Sequence, residues 1–197
     1  MNVPLALEAN ESAFIIFRQH GAERLPTATG LVSDMPVRLG LSGPWMVRFM
    51  PGRCAPVEAE FPELISWSKH TDPGIRDFSG TAFYNRQFDM PPVSPGERFI
   101  LDLGKVAVLA SVKVNGRELG FVWKEPYAID VTNALRSGRN DLEIRIVNTR
   151  VNRLVADASL PEEQRITWAT WNPFKKGNSL VPSGLPGPVV LRVAAKP

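Results

Sequence analysis

Five aromatic residues of this sequence, Trp67, Trp123, Tyr127, Trp168 and Trp171, lie in segments rich in turns or prolines rather than inside clean alternating runs. A flat aromatic ring with a polar edge suits a pyranose, because its face stacks on sugar C–H groups while the edge donates a hydrogen bond. The run Trp123-Lys124-Glu125-Pro126-Tyr127 adds a cation and a carboxylate between two rings, and Trp168, Trp171 and Asn172 combine rings with an amide later in the chain. Trp123, Lys124, Glu125, Tyr127, Trp168, Trp171 and Asn172 are therefore the candidate carbohydrate contacts. The competing assignment for each indole is a place in the core or at a sheet edge, since tryptophan is highly buried on average.

Other chemistry finds less support. A nucleophilic triad needs a base within hydrogen-bond reach of the nucleophile, and His20 and His70 are the only histidines, with no G-x-S-x-G turn in the chain. One cysteine and two distant histidines do not make a structural zinc cluster. Neither a P-loop nor a G-x-G-x-x-G turn occurs, so no cofactor is implied, and no metal ligands are named. Glycoside hydrolysis uses two carboxyl groups about 5–10 Å apart. Glu58, Glu60, Glu63, Asp102, Glu125 and Asp130 are available, but no spacing makes any two of them converge, and no residue is assigned a catalytic role.

The elements that must position these residues are read from the whole chain of 197 residues. A single domain of this size buries about 70% of its unfolded surface, enough for a core without staples, whereas a catalytic (β/α)₈ barrel takes about 250 residues by itself. Basic residues number 23 against 20 acidic ones and are scattered, which does not form the basic stripe of a nucleic-acid interface. No apolar run is long enough to span a bilayer as a helix. Cys54 is alone, so the redox compartment is not readable. The N-terminus lacks the features of a signal peptide, and the compartment stays open.

The 18 prolines and 15 glycines interrupt short β-rich runs throughout, a spacing that predicts an all-β sandwich or barrel. Ala13 to Phe17 reads as a buried strand, Gln19 to Pro36 as a linker or irregular segment, and Trp45 to Phe49 as another strand. Alternation places Val106, Val108, Ala110, Val112 and Val114 on one face of a single strand, opposite Ser111, Lys113 and Asn115. Asn115-Gly116 then supplies the pair preferred in a two-residue type I′ hairpin. Phe99, Leu101 and Leu103 form one apolar face, and Leu142, Ile144 and Ile146 another. Helix is expected only at Leu160 to Arg165, where Ser159-Leu160-Pro161-Glu162 has the form of a capping box.

Ordered blocks carry a family resemblance. Phe78-Ser79-Gly80-Thr81-Ala82-Phe83-Tyr84 through Phe88 resembles the opening of the sugar-binding domain of family 2 glycoside hydrolases. Leu101-Asp102-Leu103-Gly104, Val112 to Gly120, Pro126-Tyr127, Ile129 to Thr132 and Asn140 to Asn148 follow in the same order. With Gly43-Pro44-Trp45, Asp72 to Gly80, Asn152-Arg153-Leu154 and Pro182 to Val189, the chain resembles the C-terminal part of family 106 α-L-rhamnosidase-like proteins. Pro186 departs from the apolar residue often found there. The resemblance implies a galactose-binding-like jelly-roll β-sandwich over residues 37–197. Residues 1–18 would be the terminal strand of a preceding module, and the catalytic barrel would lie upstream, outside this chain. The function implied is a non-catalytic carbohydrate-binding accessory domain that buttresses or borders the cleft of that barrel, inactive as a glycosidase alone. Its partners would be carbohydrate and the catalytic module, with no nucleic acid or membrane. The alternative is a purely structural or protein-interaction sandwich without sugar binding.

Overall fold

A computed structural model describes residues 31–52, 54–94 and 96–194, together with Leu7 and Ser12. The strand expected at residues 13–17, and with it nearly all of the expected preceding module, lies outside the described residues. Its first strands are β1 (Val37–Gly40), β2 (Trp45–Phe49), β3 (Glu58–Phe61), β4 (Thr81–Met90), β5 (Arg98–Asp102) and β6 (Lys105–Ala107). Then come β7 (Leu109–Val114), β8 (Arg117–Val122), β9 (Ala128–Asp130), β10 (Gly138–Val147), β11 (Gly184–Gly187) and β12 (Val190–Ala194). Two short helices, α1 (Pro73–Arg76) and α2 (Val151–Asp157), interrupt them.

The strands form a six-stranded sheet ordered β3-β2-β4-β10-β7-β8, a four-stranded sheet ordered β1-β12-β5-β9, and a β11-β6 pair. Neighbours are antiparallel, so the molecule is an all-β sandwich of the jelly-roll class. Its spine is the β4–β10 ladder, ten residue pairs from Gly138↔Met90 to Val147↔Thr81. Period-two alternation turns Tyr84, Val112, Ile144 and Ile146 inward from the larger sheet, where they meet Phe99, Leu101 and Leu191 of the smaller one. Fully burying one such side chain contributes about 1.5–3 kcal/mol.

The expected faces of Phe99-Leu101-Leu103 and Leu142-Ile144-Ile146 are buried. Asn115 and Gly116 carry φ of 50° and 79°, as the hairpin turn requires. Two expectations are corrected. Residues 106–114 form two strands, not one: β6 leaves to pair with β11, β7 enters the large sheet, and Val108 between them is exposed. Ser111, assigned to the outer face, is nevertheless buried. The helix expected at 160–165 is only a 3-10 turn, Glu162–Gln164, without a side-chain cap, while the α-helices lie at α1 and α2. Within the irregular segment, residues 31–36 include a 3-10 turn and are held to β12. Arg192 Nη1 donates to Met35 O at 2.8 Å, and Val193 N donates to Pro36 O at 3.0 Å.

Candidate carbohydrate-binding end of the sandwich

Strand register brings the two candidate runs to one end of the six-stranded sheet. Val122, the last residue of β8, pairs with Ala110, and Leu109 pairs with Val147, which pairs in turn with Thr81. The chain therefore leaves β8 into Trp123–Tyr127, and leaves β10 into α2 and residues 158–183, at the same end. It returns there too, because Gly184 opens β11 opposite Ala107, just before β7. Most large apolar side chains exposed among the described residues fall in segments at this end, including Trp123, Trp168, Trp171, Phe121, Val108 and Ile166. Exposed apolar groups concentrated in one region mark a binding surface more often than singly scattered ones do.

The indoles divide sharply by environment. Trp45 and Trp67 are 0% exposed and belong to the core, whereas Trp123, Trp168 and Trp171 are 66%, 81% and 77% exposed. Trp67 thus takes the core assignment, packing against Phe49, Phe78 and Tyr84. Beside Trp123, Lys124 is half-buried and Glu125 exposed, and the Glu125–Pro126 peptide is cis. Tyr127 is half-buried against the core, and its carbonyl accepts from Leu103 N at 2.8 Å. That bond fixes one end of the Trp123 loop on the chain leaving β5.

The Trp168–Trp171 segment is held by α2. Asn152 donates through Nδ2 to Val181 O at 2.9 Å and accepts from Val181 N at 2.8 Å. Asn172 Nδ2 donates to Leu154 O at 3.1 Å, while its Oδ1 accepts from Phe174 N at 3.0 Å. The Asp157 carboxylate accepts from Thr167 N at 3.0 Å and from the Thr167 hydroxyl, and pairs with Arg153 Nη2 at 2.7 Å. Burial disfavours its charged form, but the Thr167 hydroxyl, the Arg153 charge and hydrogen bond, and Thr167 N–H outweigh that, and the carboxyl lies below its ordinary value. Sequence reading gave Asn152 and Arg153 only as part of a family block, without a role at the site, and missed Asp157 and Thr167 altogether. The ten-residue separation of Asp157 and Thr167 carries no periodic signal.

Of the carboxylates considered for hydrolysis, Glu125 alone lies in the Trp123 loop, and four others are placed elsewhere. Asp102 pairs with Arg192 at 2.8 Å and Asp130 with Arg98 at 2.7 Å, both on the smaller sheet, and Glu58 and Glu60 are exposed on edge strand β3. No group of three or more His, Cys, Asp or Glu among the described residues is arranged to hold a metal ion. A recess of about 470 Å³ lies on the outer face of the large sheet between Asn85, Gln87, Lys113, Asp141 and Glu143. Its groups pair with one another, Gln87 with Asp141 at 2.8 Å and Lys113 with Glu143 at 3.3 Å, and it presents no aromatic face.

A jelly-roll sandwich with loops gathered at one end is the architecture of galactose-binding-like domains. Residues 71–180 match the family described as glycosyl hydrolase 2 galactose-binding domain-like, and the chain belongs to that family. It is similar to a putative β-glucuronidase of Formosa agariphila, 34% identical over 187 residues, which covers 82% of this chain and 16% of that protein. Among solved structures it resembles a rhamnosidase from Novosphingobium sp. PP1Y, with a TM-score of 0.76, 37% identity, and coverage of 91% of this chain and 16% of the rhamnosidase. A β-glucuronidase from an uncultured Clostridium shares the fold at a TM-score of 0.57 and 22% identity, over 80% of this chain and 29% of that one. The chain thus spans about one-sixth of the length of the first two relatives.

Proposed function

We propose that this domain is a non-catalytic carbohydrate-binding module of a glycoside hydrolase, presenting Trp123, Trp168 and Trp171 at the border of a substrate cleft completed by a catalytic module. The observation that carries this reading is the exposure of these three indoles on tethered segments at one end, while the other two tryptophans are buried. Exposed, tethered rings give a stacking surface with little left to order on binding. The likeness to a rhamnosidase at 37% identity supports an α-L-rhamnosidase-like parent, and the putative β-glucuronidase at 34% makes a uronic acid the comparison ligand.

The test titrates the 197-residue chain with L-rhamnose, D-glucuronic acid and a neutral oligosaccharide such as cellohexaose, following amide and indole chemical shifts. Trp123→Ala and the pair Trp168→Ala/Trp171→Ala should weaken the perturbations and leave the unfolding midpoint near that of the parent. The chain alone should not turn over aryl α-L-rhamnosides or aryl β-glucuronides. Turnover abolished by Glu125→Gln would overturn the accessory role.

A second reading is favoured by Phe121 and Val108, exposed side chains at the same end that lack a polar edge. In that reading the end docks on another protein module and binds no sugar. Loss of co-purification with the catalytic module in Phe121→Ser, with no sugar-induced shifts in the parent chain, would select it.

A further inference from the structure

The helix α2 is unusual in what it buries. Its buried residues are Asn152, Arg153, Val155 and Asp157, three of them polar, where a surface helix normally turns an apolar stripe to the core. These polar groups are spent on the following loop. Thr167, the residue before Trp168, is bound by the Asp157 carboxylate through both its N–H and its hydroxyl. Asn172, the residue after Trp171, is bound to the carbonyl of Leu154. Each exposed indole of the loop is therefore one residue away from an anchor on the same seven-residue helix. Asp157 is in turn fixed by Arg153 one turn earlier, the two side chains being 2% and 8% exposed.

We propose that Asp157 is a positioning residue, with Asn172 its partner at the other anchor, that sets Trp168 and Trp171 in their ligand-ready arrangement before any sugar arrives. This rests on the carbohydrate-binding reading above. A buried carboxylate is tolerated only where charge and hydrogen bonds satisfy it, and here the donors come from one helical neighbour and the indole-bearing loop. The carboxylate therefore does not stabilise α2 alone. It couples helix and loop, and the ordering of the loop is completed on folding instead of being drawn from the free energy of binding.

The experiment uses the indole N–H resonances of the chain's five tryptophans, assigned with Trp168→Phe and Trp171→Phe. Asp157→Asn keeps the shape but sets an amide against Arg153 and the Thr167 donors. It should move or broaden the Trp168 and Trp171 resonances and leave those of Trp45 and Trp67 in place. Tryptic cleavage after the exposed Lys175 and Lys176 should rise about tenfold as the loop opens locally. Binding of whichever probe sugar the parent takes should weaken by about tenfold. Thr167→Val, which removes only the hydroxyl, should act in the same direction, and Thr167→Ser should restore the parent's behaviour. It also serves if Asp157→Asn fails to fold. Unchanged Trp168 and Trp171 resonances in both Asp157→Asn and Thr167→Val would overturn the positioning role. A freed loop with undiminished sugar binding would overturn its link to the ligand. A parent chain blind to all three sugars, with the loop still freed by Asp157→Asn, would sink the carbohydrate reading and leave the anchor itself established.

Discussion

Trp67 donates its indole N–H to the Tyr84 hydroxyl at 2.6 Å, with the two ring planes 5° apart, and both residues are 0% exposed. The same phenol oxygen accepts from Leu185 N at 3.2 Å, so it joins the centre of β4, the 3-10 turn carrying Trp67, and the start of β11. Burial holds the Tyr84 proton on, against the two donated hydrogen bonds, and the phenol titrates well above its ordinary range. Tyr84→Phe keeps the ring but strands two buried donors. It should destabilise the domain by about 2–4 kcal/mol, measured by urea titration, because each unsatisfied donor carries its own desolvation cost. A loss near zero would mean that neither donor depends on the hydroxyl.

Gly184 sits against the same indole. A Cβ there would lie 2.6 Å from Trp67 Cε2 and Nε1, whereas at Gly138, with the same φ of +79°, nothing lies within 4 Å. The shared backbone angle separates strain from collision. Gly138→Ala should cost about 1–2 kcal/mol for the left-handed conformation alone. Gly184→Ala should cost at least about 3 kcal/mol, since a fully buried tryptophan cannot be displaced without repacking. Equal losses in the two variants would show that the indole yields.

Val112 is fully buried, while Lys113, next along β7, lies between Glu118 at 2.9 Å and Glu143 at 3.3 Å on the outer face. Val112→Asp should destabilise by at least about 3 kcal/mol through an unpaired buried carboxylate. Lys113→Met should leave the unfolding midpoint close to the parent's, because exposed ion pairs contribute little. Lys113→Asp is the harsher change, since it gathers three carboxylates.

Such strands were legible in the sequence because one face meets the core and the other is more open to water, which writes a period of two into residues 112–114 and 142–146. In β5, by contrast, Ile100 on the opposite face is buried too. The hairpin was legible because Asn115-Gly116 meets a backbone requirement that few residues satisfy. The break at Val108 was not: β6 and β7 are both apolar, and only the pairing of β6 with β11, far along the chain, separates them. Helix α2 escaped notice because it is only seven residues long and three of its four buried residues are polar, so the apolar spacing of Val151, Leu154 and Val155 does not mark the face that is buried. The indoles were identifiable as candidates by type and neighbourhood, but only the fold separates Trp67 in the core from Trp123, Trp168 and Trp171 outside it.

The anchor at Asp157 should respond to acid. Its folded-state value lies below the ordinary 3.8, so its stabilisation is fully present above that value and is lost as pH falls through the folded one. Asp130, where burial is outweighed by Thr132 and Arg98, acts in the same direction. Loop order, followed by indole resonances, should be flat from about pH 8 to 5 and decline only as the pH falls below the ordinary carboxylate value. Asp157→Asn should abolish the part of this transition seen at Trp168. A transition centred near neutral pH would point to a different group.

Residues 158–183 are fastened by hydrogen bonds to α2, and Ser183, where the segment rejoins the sandwich, is itself buried and bonded to Ser66 and Trp67. Asn152, Leu154 and Asp157 act as three fixed fasteners. Any insert supplying a Thr-like donor, an Asn-like side chain and a free backbone at the matching places can be mounted there. Substitutions between the fasteners, at Trp168 to Trp171, therefore change the exposed surface while the bonds that hold the segment stay in place.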